Sequence, residues 1–205
     1  MKRTAIFVVA LLLALGMVAQ CPGQAADKDL VSDLRDGGYI IFIRHPKTNA
    51  DQADTDPLNP DNIKAQRQLT DEGREQAKAL GKAFRALKIP VDKVISSQFH
   101  RAAEASKLLD VGEVTTTADV SEGGLVVSPN ENNRRTKALR TLLGTPPPAG
   151  KNLVIMSHKP NLVDAAGRDF VDLAEGETAI FIPLGDGNFK FVARVTGEKW
   201  TELAK

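Results

Sequence analysis

Two hydrophobic patterns alternate along this chain. Nearly continuous apolar runs at 39–44 and 152–157 have the character of strands covered on both faces of a sheet, and Val91 to Ile95 reads as a further strand. Between them apolar residues recur at helical spacing: Ala77, Leu80, Phe84 and Leu87 mark one face of a helix that follows Thr70 and stops at Ile89-Pro90. Thr70 suits its N-cap, and Asp71 and Glu72 supply the negative charge favoured in a first turn. A second helix is expected from about Arg101 to Leu109, and a third after Ser128-Pro129-Asn130-Glu131, which has the residues of a capping box and a proline at the first helical position. That helix should last to Leu143, before Pro146-Pro147-Pro148.

Shorter signals complete the outline. A small amphipathic segment carrying Leu30, Val31 and Leu34 precedes the first strand across a Gly37-Gly38 break. Residues 111–124 hold a weak strand and a glycine-rich turn around Glu122, and a short helix is expected from Pro160 to about Ala166. Two further strands, 179–184 and 189–195, flank Gly185-Asp186-Gly187-Asn188, a hairpin signal. The polar stretch 46–68, with Asp51, Asp54, Asp56 and Asp61, exceeds the ~12–15 residues of a passive connection, so a functional rim loop or flap is expected. With no repeat and no internal linker, the pattern predicts one α/β domain over 26–205. Its expected form is a three-layer αβα sandwich with a central, mostly parallel sheet and a C-terminal antiparallel hairpin.

Residues 1–25 read differently. Lys2 and Arg3 precede an uninterrupted apolar run of 15 residues, and Gly23-Gln24-Ala25 offers small residues where a signal peptidase cuts. The run falls short of the ~20 residues of a membrane span, so the expectation is a signal peptide and a periplasmic or secreted product. Cys21 offers a lipidation site, although Val18 stands where leucine is usual. Cleavage after Ala25 removes the only cysteine and takes the formal charge from +1 to −1. Such a balance gives no electrostatic case for nucleic acid or for an anionic membrane surface, and the mature chain has no span.

Candidate chemistry lies at strand ends. The chain has three histidines, and two of them, His45 and His158, follow the first and last apolar runs. Imidazoles at the carboxyl ends of neighbouring core strands converge on one crevice. Arg44 precedes His45, and Pro46 ends the strand because it has no N–H for the ladder. Ser97 and Arg101 follow the second strand, Asn161 opens the helix after His158, and Arg67 lies on the rim. His100 sits beside Arg101 and reads as a surface or packing residue. No HExxH, CxxC or clustered-carboxylate spacing, P-loop or dinucleotide fingerprint is present, so no metal or other cofactor is expected.

Four segments in order carry a family resemblance: Phe42-Ile43-Arg44-His45-Pro46; Leu69-Thr70-Asp71-Glu72-Gly73-Arg74-Glu75-Gln76-Ala77; Ser96-Ser97-Gln98-Phe99-His100-Arg101-Ala102-Ala103-Glu104-Ala105; and Met156-Ser157-His158-Lys159-Pro160-Asn161-Leu162. Together they resemble the histidine phosphatase superfamily, which includes the cofactor-dependent phosphoglycerate mutases, and the likeness spans about 39–195. The resemblance implies a phosphoglycerate mutase-like fold and His45 as a nucleophile that is phosphorylated and then released by water. It implies that Arg44, Arg101 and His158 bind the phosphoryl oxygens, with Ser97, Asn161 and Arg67 as further donors. A carboxylic acid must protonate the leaving group; Glu122 lies where the family has its acid, with Asp119 and Glu104 as substitutes. The chain departs from the pattern at Pro46, Gln98 and Lys159.

These readings point to an exported phosphohydrolase that cleaves phosphomonoesters through a phosphohistidine on His45, without metal. With no large insert, its pocket is expected to admit small or saccharide-linked phosphoryl substrates. The alternative is a degenerate member that binds anionic phosphorylated envelope ligands without turnover. Pro46, which removes one backbone N–H beside the nucleophile, motivates that alternative.

Overall fold

A computed structural model describes residues 22–123 and 127–205. The expected leader, 1–25, lies outside the described residues except for its last four, which open the first helix; Cys21 and Gly124 also lie outside them. Among the described residues no helix is long and apolar enough to cross a membrane.

In chain order the strands are β1 (Ile40–Arg44), β2 (Val91–Ser97), β3 (Glu113–Thr117), β4 (Asn152–Ser157), β5 (Thr178–Gly185) and β6 (Asn188–Val195). The helices are α1 (Pro22–Asp36), α2 (Asp71–Ala86), α3 (His100–Leu109), α4 (Pro129–Gly144), α5 (Lys159–Ala166) and α6 (Gly197–Leu203). The strands form one mixed sheet in the order β3-β2-β4-β1-β5-β6. The first four in that order are parallel neighbours, whereas β5 runs antiparallel to β1 and to β6. This is the α/β architecture that the apolar pattern predicts.

Strand alternation divides the core. Ile41, Ile43, Val94, Val154, Met156 and Ile180 face a cluster shared with α1, α2, α3 and α6, where Leu34, Leu80, Phe84, Leu109 and Trp200 are buried. Ile40, Phe42, Leu153, Ile155, Ala179 and Phe181 face the opposite cluster, with Leu139, Leu143 and Leu162 from α4 and α5. Because both faces are covered, the central strands must be apolar at every position, which explains their unbroken runs. All six residues of β4 are buried.

The end signals act locally. Thr70 Oγ1 accepts from Gly73 N at 3.0 Å, as an N-cap should. Ser128 Oγ accepts from Glu131 N, but Glu131 does not reach back as the reciprocal half of a capping box. Its carboxylate instead takes bonds from Arg134 and Arg135, charge-assisted contacts that outcompete a neutral N–H. In the hairpin Asp186 and Gly187 both have positive φ, 51° and 73°, the conformation that lets a two-residue turn follow the strand twist. Helix α6 has no counterpart in the sequence expectations. Trp200 is its buried anchor, against Phe84 at 4.9 Å and with its N–H donated to Thr178 Oγ1, and Leu203 packs partly buried against the same cluster.

Helices α2 and α3 cross at Gly81, where an added Cβ would lie 1.8 Å from the Leu109 carbonyl oxygen. Alanine is favoured over glycine by about 1 kcal/mol in a helix interior, but backbone overlap outweighs that gain. Gly81→Ala should therefore lower unfolding free energy by about 1–3 kcal/mol. A denaturant midpoint at or above wild type would contradict this crossing.

Candidate active site

The parallel pairing of β1 with β4 sets Arg44 opposite Ser157, so the next residue of each strand is a histidine. His45 N donates to Ser157 O at 2.9 Å, and the two imidazole centroids lie 5.2 Å apart, edge to face. Both rings are buried, His45 at 2% exposure and His158 at 0%. Strand β2, on the other side of β4, contributes Ser97 and leads into α3 with Arg101.

His45 Nδ1 lies 2.9 Å from the carbonyl oxygen of Pro46. With Nδ1–H donating there, the lone pair is left on Nε2, the tautomer a nucleophile requires. Proline is well suited to this task, because the missing N–H is not used and the carbonyl does the holding. Gly176 N bonds to the carbonyls of both Arg44 and His45, and Lys47 O accepts from Thr70 N at the start of α2. The nucleophile segment is thus splinted from two sides.

His158 is oriented by a chain of hydroxyls. Its Nε2 lies 2.7 Å from Ser97 Oγ, which donates to Ser121 Oγ, which in turn donates to Thr117 O. Since the Ser97 proton is spent on Ser121, His158 Nε2 is assigned as the donor and Nδ1 is left toward the pocket. The structure therefore sets Ser97 behind His158, with its hydroxyl also accepting from Phe99 N, and not as a direct phosphate donor.

Arg101 is fully buried. Its Nη1 donates to both oxygens of Asp54 at 3.0 and 3.1 Å, its Nη2 contacts Glu122, and its guanidinium lies over the Phe99 ring at 4.5 Å. Two carboxylates and a ring face offset the cost of burying this cation. Glu122 Oε1 also lies 3.4 Å from His158 Nδ1. Arg44 is anchored by Nη1 on Leu173 O at 2.6 Å. Arg67 donates its backbone N–H to Asp54, and its charge bears on Arg44, His45 and His158. The Nε atoms of Arg44, Arg67 and Arg101, His158 Nδ1 and Asn161 Oδ1 are buried without a hydrogen-bond partner among the described residues. Three guanidiniums with unspent Nε–H groups around a neutral imidazole are an arrangement that can bind a tetrahedral oxyanion.

The structure thus brings His45, Arg44, Arg101, His158, Glu122 and Arg67 together, and leaves Asn161 buried at the start of α5. It separates the other acid candidates: Asp119 is bound to Arg134 and Glu104 to Arg74. His100 lies outside, half-buried beside Glu104 at 3.6 Å. Two participants escaped sequence reasoning. Asp54 is one of several acids in the 46–68 loop with nothing local to single it out, and Glu175 sits in an Ala-Glu-Gly-Glu stretch without a motif. Glu175 accepts from Thr48 and lies 3.7 Å from Arg44 Nη2. Among the described residues no group of three or more His, Cys, Asp and Glu is arranged to hold a metal ion. Beside Glu122 opens a pocket walled by Pro57, Leu58, Gln98, Phe99 and Val127.

Residues 40–125 match the family model of the histidine phosphatase superfamily (branch 1), a span that includes His45, Arg101 and Glu122 but stops short of His158. No curated protein matches the chain. Among solved structures, the chain is similar to the protein histidine phosphatase SixA complexed with tungstate, at 16% identity and a TM-score of 0.55 over 78% of this chain and 97% of that one. It is similar to phosphoserine phosphatase from Entamoeba histolytica in complex with phosphoserine, at 16% identity and 0.54 over 78% and 98%. It is also similar to mycobacterial glucosyl-3-phosphoglycerate phosphatase with VO3, at 13% identity and 0.55 over 77% and 98%. At these identities the likeness establishes the shared fold.

Burial, and after it the charge of Arg101, lowers the His45 imidazole from its ordinary 6.5 to about 3, outweighing the Pro46 bond that raises it. Burial and the same guanidiniums also hold His158 well below its usual value. An unfolded chain takes up a proton at His45 below about pH 6.5 while the folded chain does not, so this stability is complete above that pH and is lost as pH falls toward 3. Between pH 7.5 and 5.5 the loss should reach about 1.4 kcal/mol for His45, and His45→Asn should flatten the dependence by that amount in denaturant titrations. An unchanged slope would show that the ring is not held neutral.

Proposed function

We propose that this chain, a histidine phosphatase superfamily sequence over residues 40–125 with the histidine phosphatase fold, is an exported phosphohydrolase. In this reading it transfers the phosphoryl group of a monoester to His45 and then to water. The observation that carries the proposal is the ring of unspent cationic donors around a neutral imidazole whose Nδ1 is already committed to Pro46.

The steps follow from the donors. Phosphoryl oxygens take hydrogen bonds from Arg44, Arg67 and Arg101, which neutralise the anion and aim its phosphorus at His45 Nε2, and the protonated oxygen of a monoanionic substrate donates to the bare Nδ1 of His158. Arg101 turns its Nη groups from Asp54 and Glu122 to the phosphoryl group, releasing Glu122 toward the leaving oxygen. The N–P bond forms as the P–O bond breaks, and the proton that the monoanionic substrate brought in passes from His158 Nδ1 to Glu122, which lies 3.4 Å away, and from Glu122 to the departing oxygen. Water then attacks phosphorus in line, giving its proton to Glu122, and His45 leaves as a neutral ring. The cations present supply the charge compensation that a metal would otherwise bring, so the reaction is expected to be metal-independent.

The pocket beside Glu122 is on the leaving-group side and supports a small or saccharide-linked phosphomonoester as substrate. Phosphatases of similar fold in complex with phosphoserine, tungstate and VO3 support a phosphoryl site of the same kind. A binder without turnover is the weaker reading, because Pro46, the residue that motivated it, supplies the bond that orients His45.

Phosphate release from aryl phosphates and phosphosugars should persist in excess chelator, and protein quenched in alkaline detergent should carry a base-stable, acid-labile label. His45→Ala should abolish the label and lower turnover by at least about 10³-fold. Retained labelling in that variant, or chelator-sensitive activity, would sink the reading. Export rests on the pattern of residues 1–25, and N-terminal sequencing of protein from the growth medium or periplasm should begin at Ala26. A product that still begins at Met1 would count against it.

A further inference from the structure

We infer that Glu175 is a positioning residue for phosphoryl transfer, its carboxylate held behind the His45 ring to balance the positive charge that develops there during attack. The inference rests on the phosphohistidine reading above and adds a residue to it. On the pocket side His45 faces Arg44, Arg67, Arg101 and His158, and Glu122 lies beyond His158. On the Nδ1 side its one acidic neighbour within ion-pair reach, among the described residues, is Glu175, with Oε1 3.9 Å from Nδ1.

Glu175 is held firmly for a residue that is 26% exposed at the side chain. Its Oε1 accepts from Thr48 Oγ1 at 2.7 Å and its Oε2 from Thr48 N at 3.3 Å, while Arg44 Nη2 stands 3.7 Å away. The next residue, Gly176, bonds to the carbonyls of Arg44 and His45, so carboxylate and nucleophile move as one unit. Its open side is a cleft shared with Gln76, Glu177 and Glu198, where Glu177 is committed to Arg194. A carboxylate that only braced a loop would need Thr48 alone; this one also faces the nucleophile and the first phosphate-binding arginine.

The chemistry supplies the reason. When Nε2 of His45 forms its bond to phosphorus, the P–O bond breaks and its electron pair leaves with the oxygen, which takes a proton from Glu122. The ring keeps its hydrogen on Nδ1 and so becomes an N-phosphoryl imidazolium. That positive charge arises in a buried site already crowded by three guanidiniums. A fixed carboxylate behind the ring lowers the energy of the charged ring without touching the substrate. The second step discharges the ring, so the same carboxylate does not help it.

This asymmetry makes the test. Rapid-quench kinetics with a radiolabelled aryl phosphate separate phosphoenzyme formation from its hydrolysis in wild type, Glu175→Gln and Thr48→Val. Glu175→Gln should slow formation about ten- to hundredfold while leaving phosphoenzyme hydrolysis unchanged or faster, and should hold inhibition by inorganic phosphate within about threefold of wild type. Thr48→Val, which keeps the charge, should form phosphoenzyme at close to the wild-type rate. Equal slowing of both steps, a parallel loss of phosphate affinity, or a loss of the same size in Thr48→Val would overturn the inference in favour of a bracing role. A normal burst in Glu175→Gln would overturn it outright. Wild-type phosphate release without any phosphoenzyme would instead sink the phosphohistidine reading itself, a failure seen before either variant is compared.

Discussion

A guanidinium with no solvent contact must have its charge answered from within the protein, and in this chain that demand organises the site around Arg101. Asp54 from the long loop and Glu122 from the turn after the 3-10 segment Ala118–Val120 meet the two ends of its fork. Those positions are also where a phosphoryl oxyanion would be bound. The two carboxylates therefore hold the cation in place, and in the proposed reaction they would be exchanged for the substrate, which would keep a buried charge balanced both before and after binding. Arg44 and Arg67 extend the same positive field over the two histidines, and together with burial this field keeps both rings neutral.

That field has a consequence for the chemistry. A neutral imidazole retains the lone pair with which it attacks, but the phosphorylated ring must carry positive charge among three guanidiniums. In the proposed intermediate the phosphoryl group would offset that charge from the front and Glu175, 3.9 Å from Nδ1, from behind. Backbone contacts make this geometry stiff. Strand β1 hands its carbonyls to Gly176, α2 caps onto Lys47, and Ser97 and Ser121 fix His158 through hydroxyls that face away from the pocket. Stiffness matters because a displacement of about 1 Å at a nucleophile can cost two orders of magnitude in rate.

Much of this was legible in the chain. The unbroken apolar runs marked the central strands, since strands covered on both faces tolerate no polar position, and the caps at Thr70 and Ser128 marked helix starts. Arg44, His45 and His158 stood out by residue type at strand ends, and Arg101 through the family resemblance. Glu122 was one acid among three, and distance separates them, because Asp119 and Glu104 are committed to Arg134 and Arg74 on other faces. Helix α6 was illegible because its one deep contact, Trp200 on Phe84, joins residues far apart in the chain.

By itself, the order of residues determined which segments become strands and helices and which side chains carry chemistry, because those depend on periodicity, capping and intrinsic reactivity within a few positions. Tertiary structure alone decided that β1 lies beside β4, so that two histidines more than a hundred positions apart share one crevice. It also decided which carboxylates meet Arg101, that Pro46 holds His45, and that Glu175 stands behind the ring. These are contacts across space whose strength depends on distance, burial and direction, none of which a linear pattern encodes.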